Sequence, residues 1–70
     1  MVEVFKTNVW QKKDAGPLIK GLSARLPGHK ISIDIEDCDK VLRVEGETIH
    51  AEKIIGLLEQ EGFKCAIMNY

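Results

Sequence analysis

The chain has 70 residues, of which 44% are apolar and 30% charged, and its formal net charge is −1. These values are typical of one small globular domain spanning residues 1–70, with little material for a deep enclosed site, so we do not expect an enzyme. Scattered basic residues argue against nucleic-acid binding, and no stretch approaches the roughly 18 apolar residues of a membrane-spanning helix. We expect a cytoplasmic protein without a membrane partner.

The N-terminal segment is rich in β-branched and aromatic residues. Val2 to Val9 contains no helix breaker and predicts a first strand. Two facings are compatible with it, because either Val2 and Val4 or Phe5 and Thr7 can point inward.

A helix is predicted next. Its apolar residues recur at helical spacing, at Leu18, Ile19, Leu22 and Leu26. Asp14 is a suitable N-cap, and Pro17 is tolerated in a first turn. Pro27 and Gly28 then end the helix.

The clearest pattern predicts a β-hairpin. Ile31, Ile33 and Ile35 alternate with Ser32, Asp34 and Glu36, as in a strand with one buried and one solvated face. A short polar turn follows, and Val41 to Val44 resumes an extended pattern that closes at Gly46.

A second helix and a final strand complete the chain. Thr48 is a suitable cap for a helix whose apolar stripe is Ile49, Ile54, Ile55, Leu57 and Leu58, and Gly62 is suited to end it. Phe63 to Met68 predicts the last strand, with Cys65 and Ile67 on one face.

The predicted order is therefore β-α-β-β-α-β. Right-handed crossovers place both helices on one face of a four-stranded antiparallel sheet, which is an α+β, ferredoxin-like fold. The other sheet face would be solvated and carry Ser32, Asp34, Glu36 and Arg43. It lacks the aromatic residues on which RNA-binding sheets stack bases.

Residues 5–28 can be laid without gaps on the heavy-metal-associated domains of copper chaperones, ending in 22–28, which resembles that family's helix end; 41–46 and 54–63 continue the resemblance. That family binds metal through a methionine followed by two cysteines, separated by two residues, in the loop before the first helix. In an ungapped alignment Trp10 stands at the methionine position, and Lys12 and Ala15 stand at the cysteine positions. The resemblance therefore implies the fold but no metal ligand, and we predict no cofactor.

The predicted topology brings three loops to one end of the sheet. Trp10, Lys12, Cys38, Phe63 and Lys64 lie in or beside these loops and form our candidate binding end. Our hypothesis is a non-catalytic module that recognises a protein partner or a small ligand there. The simpler interpretation is that Trp10 and Phe63 only cap the core. The family resemblance implies partner contacts at the same end.

Other functions stay open as alternatives. Copper or zinc binding or transport would need non-family ligands among Cys38, Cys65, His29 and His50. A redox or catalytic role is not expected, because the acidic turn containing Asp37 and Asp39 disfavours a thiolate at Cys38. Exposed sheet edges and the open sheet face also make a homodimer a reasonable expectation.

Overall fold

The computed structural model describes residues 1–36 and 38–68. Its elements are β1 Val2–Thr7, α1 Lys12–Arg25, β2 Lys30–Asp34, β3 Val41–Glu45, α2 Ala51–Gln60 and β4 Cys65–Ile67. The predicted order of strands and helices is confirmed. Within the described residues, neither helix is long and apolar enough to cross a membrane.

The four strands form one antiparallel sheet in the order β2-β3-β1-β4. Helix α1 packs against β2 and helix α2 packs against β4. This is the predicted α+β, ferredoxin-like arrangement. The fully or nearly fully buried core consists of Phe5, Val9, Leu18, Leu22, Leu26, Leu42, Val44, Ile54 and Leu58.

Pairing with β3 decides which face of β1 is buried. Phe5 lies opposite Leu42, and both side chains are fully buried, so Phe5 and Thr7 share the core side. Val4 lies opposite the exposed Arg43 on the other face. The strand ends at Thr7, earlier than predicted, yet Val9 is also fully buried because the loop turns it inward.

Helix α1 differs from the prediction at its start. It begins at Lys12 with Gln11 as N-cap, and no side chain caps it. Asp14 is therefore not the cap. It lies in the first turn, where its negative charge interacts favourably with the positive end of the helix dipole. Pro17 lies inside the helix as its sixth residue, and its missing N–H leaves the carbonyl of Lys13 without a helical donor.

Helix α2 starts later than predicted, whereas α1 starts earlier. Its N-cap is His50, not Thr48, whose carbonyl oxygen instead lies 2.8 Å from Nε2 of His29. Its end is as expected, because Gly62 has a φ of 87° and its N–H donates to the carbonyl of Glu59. The N–H of Phe63 donates to the carbonyl of Leu58, which completes a Schellman motif.

The remaining predictions concern sheet faces. Strand β4 covers only Cys65–Ile67, within the predicted Phe63 to Met68. Ser32, Asp34, Glu36 and Arg43 are all exposed, as predicted for the solvated face. Among residues 1–36 and 38–68, one broad face of the sheet and its β2 and β4 edges are therefore left uncovered by the helices.

Candidate functional site

Three connections meet at one end of the sheet, which we call the Trp10 end. They are the loop 8–11 between β1 and α1, the turn before β3, and the entry to β4. Thr7 joins them, because it pairs with Cys65 of β4 while its N–H donates to the carbonyl of Asp39, at 3.1 Å. Asp37, the other acidic neighbour of Cys38, lies outside the described residues.

Loop 8–11 is held by side chains from both flanks. Thr7 Oγ1 donates to the carbonyl of Lys40, at 2.7 Å, and accepts the N–H of Val9, at 3.2 Å. Asn8 exchanges two bonds with Lys64: its N–H donates to the Lys64 carbonyl at 3.3 Å, and its Oδ1 accepts the Lys64 N–H at 2.8 Å. With Val9 buried in the core, the loop has little freedom to rearrange.

Trp10 is displayed on this anchored loop. Its side chain is 65% exposed, although the preceding Val9 is 0% exposed. Trp10 therefore does not cap the core, whereas Phe63 is partly buried and packs against it. Lys12 follows as the first residue of α1 and is also exposed, as is Lys13.

A shallow depression of about 300 Å³ lies on the β4 side of this end. Two of the predicted residues, Cys38 and Lys64, line it together with Lys6, Thr7, Asn8, Asp39, Cys65 and Ala66. Sequence analysis missed Asn8, whose amide joins β1 to β4. The available signal was an asparagine directly after a strand, a residue whose side chain often bonds to nearby backbone.

A second cavity, of about 250 Å³, is a groove between the two helices. Its lining residues are Asp14, Pro17, Leu18, Gly21, Leu22, Arg25, Leu57, Gln60, Glu61 and Phe63. Phe63 thus belongs to this groove and not to the depression that Cys38 and Lys64 share. Trp10 and Lys12 line neither of these two cavities and are exposed on the surface.

The two thiols of the depression differ in their surroundings. Cys38 is exposed, while Cys65 is half-buried and packs against the core. Burial, and to a smaller degree the negative charge of Glu59, raises the pKa of Cys65 to about 11. Because the thiolate is the form that attacks electrophiles and binds soft metals, Cys65 is poorly suited to either role at neutral pH.

The histidines lie at the opposite end of the domain. The ring of His29 lies between two carbonyl oxygens, with Nδ1 3.1 Å from Pro27 O and Nε2 2.8 Å from Thr48 O. His50 occupies the N-cap position of α2, but its side chain makes no capping hydrogen bond. Among the residues that the structure describes, no group of three or more His, Cys, Asp or Glu side chains is arranged to hold a metal ion.

Comparison with known proteins does not assign the chain to a family. No protein-family model matches the chain, and no curated protein matches it significantly.

Proposed function

We propose that this domain is a non-catalytic binding module that docks a partner protein through its Trp10 end. The observation that carries the proposal is the 65% exposure of Trp10 on an anchored loop. A large aromatic side chain gains much from burial at an interface, and tryptophan is enriched among residues that dominate binding energy. Since the loop is already ordered, binding requires little further loss of conformational entropy.

The charges beside Trp10 define the partner's chemistry. Lys12 and Lys13 are exposed in the first turn of α1, at the positive end of the helix dipole. The complementary surface is an apolar pocket for the indole with an acidic rim. Opposite charges at such a rim speed association and select the partner more than they add affinity.

A second proposal concerns the evolutionary relationship of the chain. We propose that the chain is a metal-motif-free relative of the heavy-metal-associated domains. What supports this is the ferredoxin-like order of elements, together with the place of Trp10, Lys12 and Ala15 at the loop and the start of α1. In this proposal the family's metal loop has become a protein-docking loop.

Affinity capture with a Trp10→Ala variant tests the docking proposal. We expect the immobilised wild-type domain to retain a partner protein, and Trp10→Ala to retain at least tenfold less of it. Circular dichroism should show that both domains are folded. Lys53→Ala, an exposed change on α2, is the matched control and should retain the partner. Purified partner should then quench or blue-shift the fluorescence of Trp10, the single tryptophan.

Two results would contradict the docking proposal. One is capture that Trp10→Ala leaves unchanged. The other is stoichiometric uptake of Cu(I) or Zn(II) under reducing conditions that Cys38→Ser abolishes, which would instead support the metal-binding alternative. Binding of only a small molecule, with the same dependence on Trp10, would keep the site but replace the protein partner.

A further inference from the structure

Strand β2 forms an edge of the sheet: in the part of the chain that the structure describes, only β3 pairs with it. In an antiparallel ladder alternate residues of an edge strand direct both N–H and C=O away from the sheet, so β2 presents backbone groups ready to pair. The opposite edge, β4, has only three residues and offers a shorter template. β2 is therefore the better edge for adding a strand.

The five residues of β2 complement themselves when a second copy runs antiparallel. They read Lys30, Ile31, Ser32, Ile33, Asp34. If Ser32 lies opposite Ser32 of the second copy, Lys30 lies opposite Asp34 of that copy, and Ile31 opposite its Ile33. We propose that the chain forms a two-fold homodimer through this pairing, with one continuous sheet across both copies.

Burial supports a strand in that position. Ile31 pairs with Val44, and Ile33 pairs with Leu42, across the β2–β3 ladder. Val44 and Leu42 are fully buried, but Ile31 and Ile33 stay partly exposed at the edge, although they pack against the core. The second copy brings its own two isoleucines to the same face and extends the apolar layer under both α1 helices.

The charges select this register over its neighbours. A two-fold axis at Ile31 places Lys30 opposite Ser32, so no opposite charge faces Lys30 across the strand pair. An axis at Ile33 pairs Lys30 with Glu36, which lies beyond the end of β2. Only the axis at Ser32 forms two opposite-charge pairs and two isoleucine pairs within the strand, and it juxtaposes no like charges.

Lysine on an edge strand commonly prevents pairing with other chains. In the proposed dimer, however, Lys30 forms an opposite-charge pair with Asp34 of the second copy. Pairing of five residues buries a small area, so the dimer belongs to the weak, concentration-dependent class. Its two-fold axis points the two Trp10 ends in opposite directions. The dimer therefore does not rest on the proposed docking function and leaves both docking ends free.

Cysteine cross-linking tests the register. In the proposed dimer the Ser32 Cα atoms lie about 4.5–5.5 Å apart, within the roughly 4.4–6.8 Å range of disulfides. We expect Ser32→Cys, in a Cys38→Ser background, to form a covalent dimer on mild oxidation. Arg43→Cys is the matched control: it lies opposite Ser32 on β3, which puts the two copies' residues about 14 Å apart, or three strand spacings.

Charge reversal tests the pairing without a covalent trap. We expect the wild-type chain to dimerise by analytical ultracentrifugation between about 10 µM and 1 mM. Lys30→Asp should weaken the dimer at least fivefold, Lys30→Asp with Asp34→Lys should restore it, and Glu36→Lys should leave it unchanged. A wild-type monomer at all concentrations would overturn the proposal. So would a dimer that is indifferent to Lys30→Asp, or equal cross-linking of Ser32→Cys and Arg43→Cys.

Discussion

Val9 and Trp10 show how strongly the environment changes from one residue to the next at the Trp10 end. Val9 is fully buried and Trp10 is largely exposed, although the tryptophan side chain has the larger apolar area. The bonds of Thr7 and Asn8 direct the loop so that valine enters the core and the indole points outward. Exposure of Trp10 is thus a consequence of how the loop is anchored.

Cys65 leads to a prediction of pH-dependent stability. Its pKa rises from 9.0 to about 11 on folding, chiefly through burial. The folded domain therefore keeps this proton to higher pH than the unfolded chain does. The contribution to the free energy of unfolding is complete below pH 9 and is lost as the pH rises towards 11.

Urea unfolding of wild type and Cys65→Ala near pH 8 and near pH 10.5 measures this effect. The wild type should lose more stability than Cys65→Ala over that interval, because the variant lacks the half-buried thiol. Cys38→Ala, which removes the exposed thiol, should behave as wild type. An equal loss in all three proteins would refute the assignment to Cys65.

At the scale of elements, the two helices were predicted well in their apolar stripes and less well at their starts. Asp14 and Thr48 have the chemistry of good caps, but the helices use Gln11 and His50 in those positions. Sequence identifies residues that are able to cap, whereas the path of the preceding loop decides which residue does. Bonds to Lys40, Lys64 and His29 determine those paths.

Two glycines allow the same substitution to be compared in a helix and at a strand exit. A Cβ at Gly21, inside α1, would meet nothing within 4 Å, so Gly21→Ala should stabilise the domain by about 0.5–1 kcal/mol through helix propensity. A Cβ at Gly46 would lie 2.6 Å from Cδ2 of His29. Gly46→Ala should therefore cost about 1–3 kcal/mol as the ring is displaced from Thr48.

Thermal or urea unfolding measures both glycine variants. Combining Gly46→Ala with His29→Ala should give a smaller loss than the sum of the single changes, since the clash is absent once the ring is removed. If the losses of the two single variants simply add in the double variant, the His29 ring is not the reason that position 46 requires glycine.

For the whole molecule, a single small core carries the stability. A domain of this size is expected to have a free energy of unfolding of about 4–10 kcal/mol. The loss of one core contact therefore removes a large fraction of it. The neighbours Leu57 and Leu58 on α2 allow this to be measured, because Leu58 is fully buried while Leu57 is partly exposed at the groove.

Leu58→Ala should lower the free energy of unfolding by about 2–5 kcal/mol and leave part of the population unfolded at 37 °C. Leu57→Ala should cost about 1 kcal/mol, since less of its surface leaves water on folding. Denaturant unfolding monitored by circular dichroism provides both values. Equal losses at the two positions would contradict the described packing of α2.

The candidate site was predictable only in part. Cys38 and Lys64 were expected near each other and do line one depression. Phe63 lines the groove instead, and Trp10 lines neither cavity, although Asn8 of the same loop lines the depression. Residues a few positions apart in a loop diverge in space according to their backbone bonds, and these have no period in the sequence. Asn8, which ties the loop to β4, was missed for the same reason.

The sequence by itself determined the number, type and order of the elements, and hence the fold. Alternation at Ile31 and Ile33, helical spacing at Leu18 and Leu22, and Gly62 are local signals that need no partner to be interpreted. Only the tertiary structure decided the facing of β1, the helix starts and the display of Trp10. Those features depend on contacts between segments far apart in the chain, such as Phe5 with Leu42, and neither segment alone specifies them.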